Sequence, residues 1–284
     1  MKKILILLMI GVFTCFQACN PKEEDLGGSD IDTSTPTLND TDKWLRNNYT
    51  FPYNIEVLYR WNENAVDLNR YLYPPTFDKV LPAMEAIKTI WLDSYNQVAE
   101  PNFVKRIAPR EILLVGGINR NPSGTITLGL AEAGARITFF NTDFVNLKDR
   151  ASLTRFVSTI QHEYAHILNQ TVPFDEVSYK QITPSGYTAQ WFNNSTAEAR
   201  ELGFITDYAM ASEHEDFAEM INTMLSFNNA DYNAIVDAIS SDQAKADIRR
   251  KERMVVDYYK TEFNIDFYEL QRIAAENIEK VLNN

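Results

Sequence analysis

His162-Glu163-Tyr164-Ala165-His166 constrains this chain more than any other stretch, because it takes two of the three histidines in 284 residues. On a helix, residues four apart lie on one face, one turn above each other. Two imidazoles so placed can bind one Zn²⁺, and the intervening glutamate then sits beside the open coordination position. The flanking sequence supports a helix: Leu153, Phe156, Val157, Ile160, Tyr164, Ile167 and Leu168 recur at offsets of three and four. His162 comes two residues after Ile160 and so points away from that apolar stripe. The predicted helix has a core-facing back and a histidine-bearing front. Asp149 or Ser152 can cap its start, and Pro173 stops its continuation.

A zinc ion that keeps one position for water needs a third protein ligand. The motif HExxHxxGxxH is excluded, because Asn169 and Val172 stand where its glycine and last histidine belong. A second helix offers the alternative. Phe217, Met220, Ile221, Met224 and Leu225 form its apolar stripe, and Glu215 and Glu219 lie one turn apart on one side. Glutamates on a helix usually face solvent. Beside an HExxH motif, the reading is Glu215 as third ligand and Glu219 as the carboxylate that orients a zinc histidine. Asp207 and Asp216 are the nearest competitors for the ligand role. His214 cannot easily ligate together with Glu215, since consecutive helix residues point about 100° apart. It reads as a surface or cleft-wall residue.

The first forty residues describe a different kind of segment. Lys2-Lys3 precede an apolar run, Ile4 to Phe13, that is too short to span a bilayer as a mature helix. Phe16-Gln17-Ala18-Cys19 follows and resembles a bacterial lipobox, with Cys19 as the lipidated residue and Cys15 as a weaker candidate. Residues 1–18 are read as a lipoprotein signal peptide, and 19–40 as a flexible acidic tether rich in Gly, Ser, Thr and Pro. Lys22-Glu23-Glu24-Asp25 resembles an acidic surface-export signal, although a solvated linker charge run reads the same way. Both cysteines fall in this region, so the remaining domain has neither a disulfide framework nor a thiolate zinc site. Without residues 1–18 the chain holds 25 basic and 39 acidic residues, net −14. That balance argues against nucleic acid and against direct binding to anionic membranes.

Residues 41–284 are long enough for one catalytic domain with a large core. They are read as an N-terminal lobe, 41–169, ending in the HExxH helix, and a helical C-terminal lobe, 170–284. Aromatic residues are dense from Trp44 to Trp61, where core packing is the better reading than a binding surface. Phe77–Tyr95 reads as a helix and Glu111–Val115 as a buried strand. Gly116-Gly117 is no phosphate loop, because no GxxxxGK follows. Ala135–Phe140 reads as a second strand and as the candidate edge for extended substrate. Everything after Ala230 reads as helical.

HExxH followed by a Glu-x-Phe-Ala-Glu helix resembles the gluzincin metallopeptidases. In motif it is similar to the catalytic domain of anthrax lethal factor over roughly residues 155–225. Glu198–Ala209 is similar to a block shared by zinc metallopeptidase lipoproteins of Bacteroidetes-type bacteria, which often accompany outer-membrane nutrient importers. The resemblance implies an α+β, zincin-like fold with a small mixed sheet. It gives Tyr208, seven residues before Glu215, a place in the site, although one of 14 tyrosines could equally be a packed aromatic. It implies a surface-anchored peptidase of extracellular proteins or glycoproteins, on the outer membrane and linked to nutrient import. Zinc on His162, His166 and Glu215 would activate water, Glu163 would act as base, and Tyr208 would stabilise the oxyanion. Two alternatives stay open: an accessory peptide- or glycan-binding lipoprotein, and a zinc hydrolase of non-peptide amides.

Overall fold

The structure, a computed structural model, describes residues 37–132 and 135–284. The signal peptide, Cys19 and Lys22–Asp25 lie outside the described residues. Among the described residues, nine helices have six or more residues. The first, α1 (Asp40–Leu45), begins inside the stretch read as tether: the side chains of Asn39 and Asp42 cap each other's backbone N–H groups.

The fold is mixed α+β, mostly helical, with two small sheets. The larger has the order β1-β2-β6-β5, from β1 (Glu56–Leu58), β2 (Glu111–Leu114), β5 (Gly129–Glu132) and β6 (Arg136–Phe139). β1, β2 and β6 run parallel, and β5 pairs antiparallel with β6. Both faces of the central strands are covered, so Ile112, Leu113, Leu114, Ile137 and Phe139 form continuous buried runs rather than alternating ones. The smaller sheet is a hairpin of β3 (Asn119–Arg120) and β4 (Ile126–Thr127). Gly124 takes φ +88° in its turn, a conformation that suits glycine.

This topology corrects one expectation. The strand at Ala135–Phe140 is not an edge: β6 lies between β2 and β5. The exposed edge near the HExxH helix is β5, which carries little hydrophobic signal and is too short to announce itself.

α2 (Phe77–Ile87) passes through a π-helical turn, Lys88–Leu92, into α3 (Asp93–Val98). The HExxH helix is α4, Arg150–Thr171, with Asp149 as its cap accepting from the Ser152 N–H. Its back is buried through Leu153, Phe156, Val157, Ile160, Tyr164, Ile167 and Leu168. Tyr164 packs edge-on against Trp91 and Tyr95, both at 5.0 Å between ring centroids. Of the early aromatics, Tyr49 and Tyr59 lie in the core and Trp44 and Tyr53 pack against it, while Phe51 and Trp61 stay exposed.

The C-terminal half supplies α5 (Thr196–Glu201), α6 (Glu213–Ser226), α7 (Asn229–Asp237), α8 (Asp242–Phe263) and α9 (Phe267–Asn283). Residues of 41–169 and 170–284 share one hydrophobic core, with Ile160 and Tyr164 beside Phe217, Met220 and Tyr259. No helix of the described residues is long and apolar enough to cross a membrane.

Candidate metal centre

The α4–α6 crossing brings the predicted ligands together. His162 Nε2 lies 3.1 Å from His166 Nε2 and 3.0 Å from Glu215 Oε2, and His166 Nε2 lies 3.3 Å from the same oxygen. Among the described residues this is the group of three that could hold a metal ion. The fit to zinc follows from the donors. Three atoms each about 2.0–2.2 Å from a tetrahedral ion stand about 3.3 Å apart. Three lone-pair atoms facing one point repel each other unless a cation or proton lies between them.

A carboxylate orients His162. Glu219 Oε1 accepts from His162 Nδ1 at 2.7 Å, which leaves Nε2 as the coordinating atom. Glu219 is held in turn by the Thr206 hydroxyl at 2.7 Å and by Asn222 Nδ2 at 3.0 Å. Burial works to lower the His162 pKa, but Glu215 and Glu219 overcome it and hold the imidazole well above its ordinary value. The same pairing pulls Glu215 down despite its burial. The pocket thus carries a strong preference for positive charge at the point where the three donors meet.

Glu163 occupies the place the motif requires. It is buried, and burial pushes its carboxyl up from the ordinary range, opposed by the two histidines. The Ala131 backbone N–H of β5 also opposes that rise. Gly129 crosses so closely that an added Cβ would lie 2.8 Å from Glu163 Oε1 and 2.4 Å from Thr159 Cγ2.

Tyr208 opens a short 3₁₀ turn, Tyr208–Ala211, and its ring centroid lies 5.7 Å from that of His162. Trp191 packs edge-on against it at 4.9 Å. Burial and the neighbouring Glu215 carboxylate push its hydroxyl pKa far up, so it remains a proton donor.

The competitors lie elsewhere. Asp207 accepts from the Thr196 hydroxyl at 2.6 Å, and Asp216 pairs with Lys251 at 2.6 Å. His214 is a surface residue bonded to Asn169. Sequence reasoning missed Thr206 and Asn222. Asn222 stands one turn from Glu219 on a polar side of α6, a signal that could have been read. The Ala131 backbone contact leaves no trace in residue type.

The centre opens into a cavity of about 1360 Å³ floored by the front of α4 from Arg150 to Glu163. β4 and β5 form one side and the C-terminal part of α6 the other.

Two histidines on α4 and a glutamate on α6, with a buried carboxylate beside them, form a helix-borne site that could hold a metal ion. The chain belongs to the family described as "Putative zinc-binding metallo-peptidase", whose model matches residues 34–268. Among solved structures it is similar to a protein described as a putative zinc-binding metallo-peptidase from Bacteroides caccae ATCC 43185. The two share 29% sequence identity and a TM-score of 0.71, over 86% of this chain and 93% of that one. No curated protein matches the chain.

Proposed function

We propose that the chain is a zinc-dependent peptidase of the gluzincin type. The observation that carries this reading is the meeting of His162, His166 and Glu215 within 3.0–3.3 Å of one another, with Glu163 beside them. When bound, zinc supplies a Lewis acid that brings a water pKa to about 7 and polarises a carbonyl. Glu163 takes the proton from the attacking water and passes it to the leaving amine, a role that its raised pKa suits. Tyr208 donates its hydroxyl proton in a hydrogen bond to the oxyanion. Glu219 holds the His162 ring in its ligating orientation. β5, the free edge beside Glu163, is the strand against which an extended peptide would pair.

The purified protein should carry about one Zn²⁺ per chain, measured by metal analysis. His162→Ala, His166→Ala and Glu215→Ala should each lose most of it, whereas Asp207→Ala should keep it. Full zinc in Glu215→Ala would remove that residue from the ligand set. Tyr208→Phe should keep its zinc but lose about 10²–10³ in kcat, the usual effect of deleting one oxyanion donor. KM should move less, because the hydroxyl matters mainly as charge develops. An unchanged kcat would return Tyr208 to a packing role.

We place the mature chain on the outer membrane as a surface lipoprotein anchored through Cys19, acting on proteins or glycoproteins beside a nutrient importer. The support is the leader sequence and its resemblance to a lipobox. Radioactive fatty acid should label the wild type and not Cys19→Ala. Protease added to intact cells should strip the protein away; protection until lysis would put it on the periplasmic face.

A further inference from the structure

Arg200, at the end of α5, stands in the wall of the same cavity as Trp191, Thr206 and Tyr208. Its Nε–H donates to the Ile205 carbonyl at 3.0 Å, which fixes the side chain against the loop leading to Tyr208. The remaining nitrogens of the guanidinium have no acceptor among the described residues. Every other half-buried arginine there has a carboxylate partner: Arg70 with Asp67, Arg136 with Glu111, Arg249 with Glu252. Arg200 has none, and burial lowers its pKa from the ordinary value. A guanidinium removed from water without an anion is costly, yet it stays charged at any ordinary pH. Two other arginines line the cavity, but Arg150 pairs with Glu279 and Arg155 is exposed, so Arg200 is the half-buried one without an anion.

The geometry points to Arg200 as the residue that receives a carboxylate of the bound peptide. The proposal rests on the peptidase reading, and it deepens that reading by naming a substrate class. The planar fork of a guanidinium matches a carboxylate through two parallel hydrogen bonds. With Nε engaged by Ile205, the terminal nitrogens are the pair left for the ligand. The carboxylate has two sources in a peptide, an acidic side chain near the scissile bond or the free C-terminus. The first makes the protein an endopeptidase with an acidic preference, the second a carboxypeptidase-like enzyme.

The test compares three peptides of one backbone sequence. The first has an acidic residue and an amidated C-terminus, the second a neutral side chain and a free C-terminus, the third a neutral side chain and an amidated C-terminus. Binding is read by calorimetry on zinc-loaded Glu163→Gln, with and without Arg200→Gln, and cleavage is read on the wild type. One carboxylate peptide should bind about 10- to 100-fold tighter than the neutral one, the range of a hydrogen bond to a charged group. Adding Arg200→Gln should erase that margin while leaving the neutral peptide nearly unchanged; Arg200→Lys should keep part of it. Equal binding of all three peptides to the Arg200-bearing protein overturns the proposal and needs no further variant. Equal weakening of all three by Arg200→Gln also overturns it, leaving Arg200 as a support for Ile205. Cleavage without carboxylate preference sinks this inference and leaves the peptidase reading standing. Carboxylate-dependent binding with no cleavage does the reverse.

Discussion

Glu163→Gln should lower peptide turnover by about 10²–10⁴-fold and leave zinc content and folding intact. The side chain is buried beside the metal donors but is not one of them, so its charge is not needed to hold the ion. Glutamine has nearly the same shape, so it fills the same space beneath Gly129. What it loses is the ability to take a proton. Metal analysis, circular dichroism and a kcat measurement on one preparation separate these effects. Wild-type turnover in the variant would leave some other group as the base. If the wild type cleaves no peptide in a metal-dependent way, yet binds peptides as tightly as Glu163→Gln, an accessory binding lipoprotein becomes the better description.

Lys251→Met should destabilise the fold by about 3–5 kcal/mol, the usual cost of stripping a buried ion of its partner. At roughly 2–4 °C per kcal/mol for a domain of this size, the melting temperature should fall by about 6–20 °C. Lys251 and Asp216 both have fully buried side chains, and they meet at 2.6 Å. Lys251 also donates to the Gly203 carbonyl at 2.8 Å and lies 3.9 Å from the centre of the Phe204 ring. Asp216 accepts from the Tyr187 hydroxyl at 2.9 Å. Burial pushes the Asp216 carboxyl up to about 6 even with Lys251 pulling it down, so without the cation it would be forced further towards its neutral form. Because Asp216 adjoins Glu215, the strain falls at the start of α6. A denaturation midpoint within about 0.5 kcal/mol of wild type would show that the pair contributes little. Replacing both partners, with Lys251→Met and Asp216→Leu together, should recover much of the loss, since no charge is then left buried alone.

How far the site was legible in the sequence depends on the kind of contact. His162, His166, Glu215 and Glu219 share two helices, and helical periodicity converts spacing into facing. Each helix also carries an apolar stripe that fixes which side turns to the core. The placement of Glu219 behind His162 follows from the same rule one turn along. The sheet was harder. β1 and β5 have three and four residues, too few for periodicity to speak, and the order β1-β2-β6-β5 comes from pairings between segments far apart in the chain. The buried runs of β2 and β6 were readable as strands, but a buried run says nothing about which strand is outermost. The solitary charge of Arg200 was invisible for a related reason. A linear sequence shows which charges exist, not which find partners.

Gly129 makes the width of the catalytic slot a matter of one missing methyl group. Where β5 crosses α4, a methyl would have to displace both Thr159 and the glutamate beneath it. Alanine at this point would act as a shim, lifting the free edge from the floor and, in the proposed reaction, separating the strand that would dock an incoming chain from Glu163. No ligand atom would be altered, and zinc would bind as before. The alignment of the two halves of the machine would be lost, so this strand carries a tolerance finer than its sparse sequence suggests.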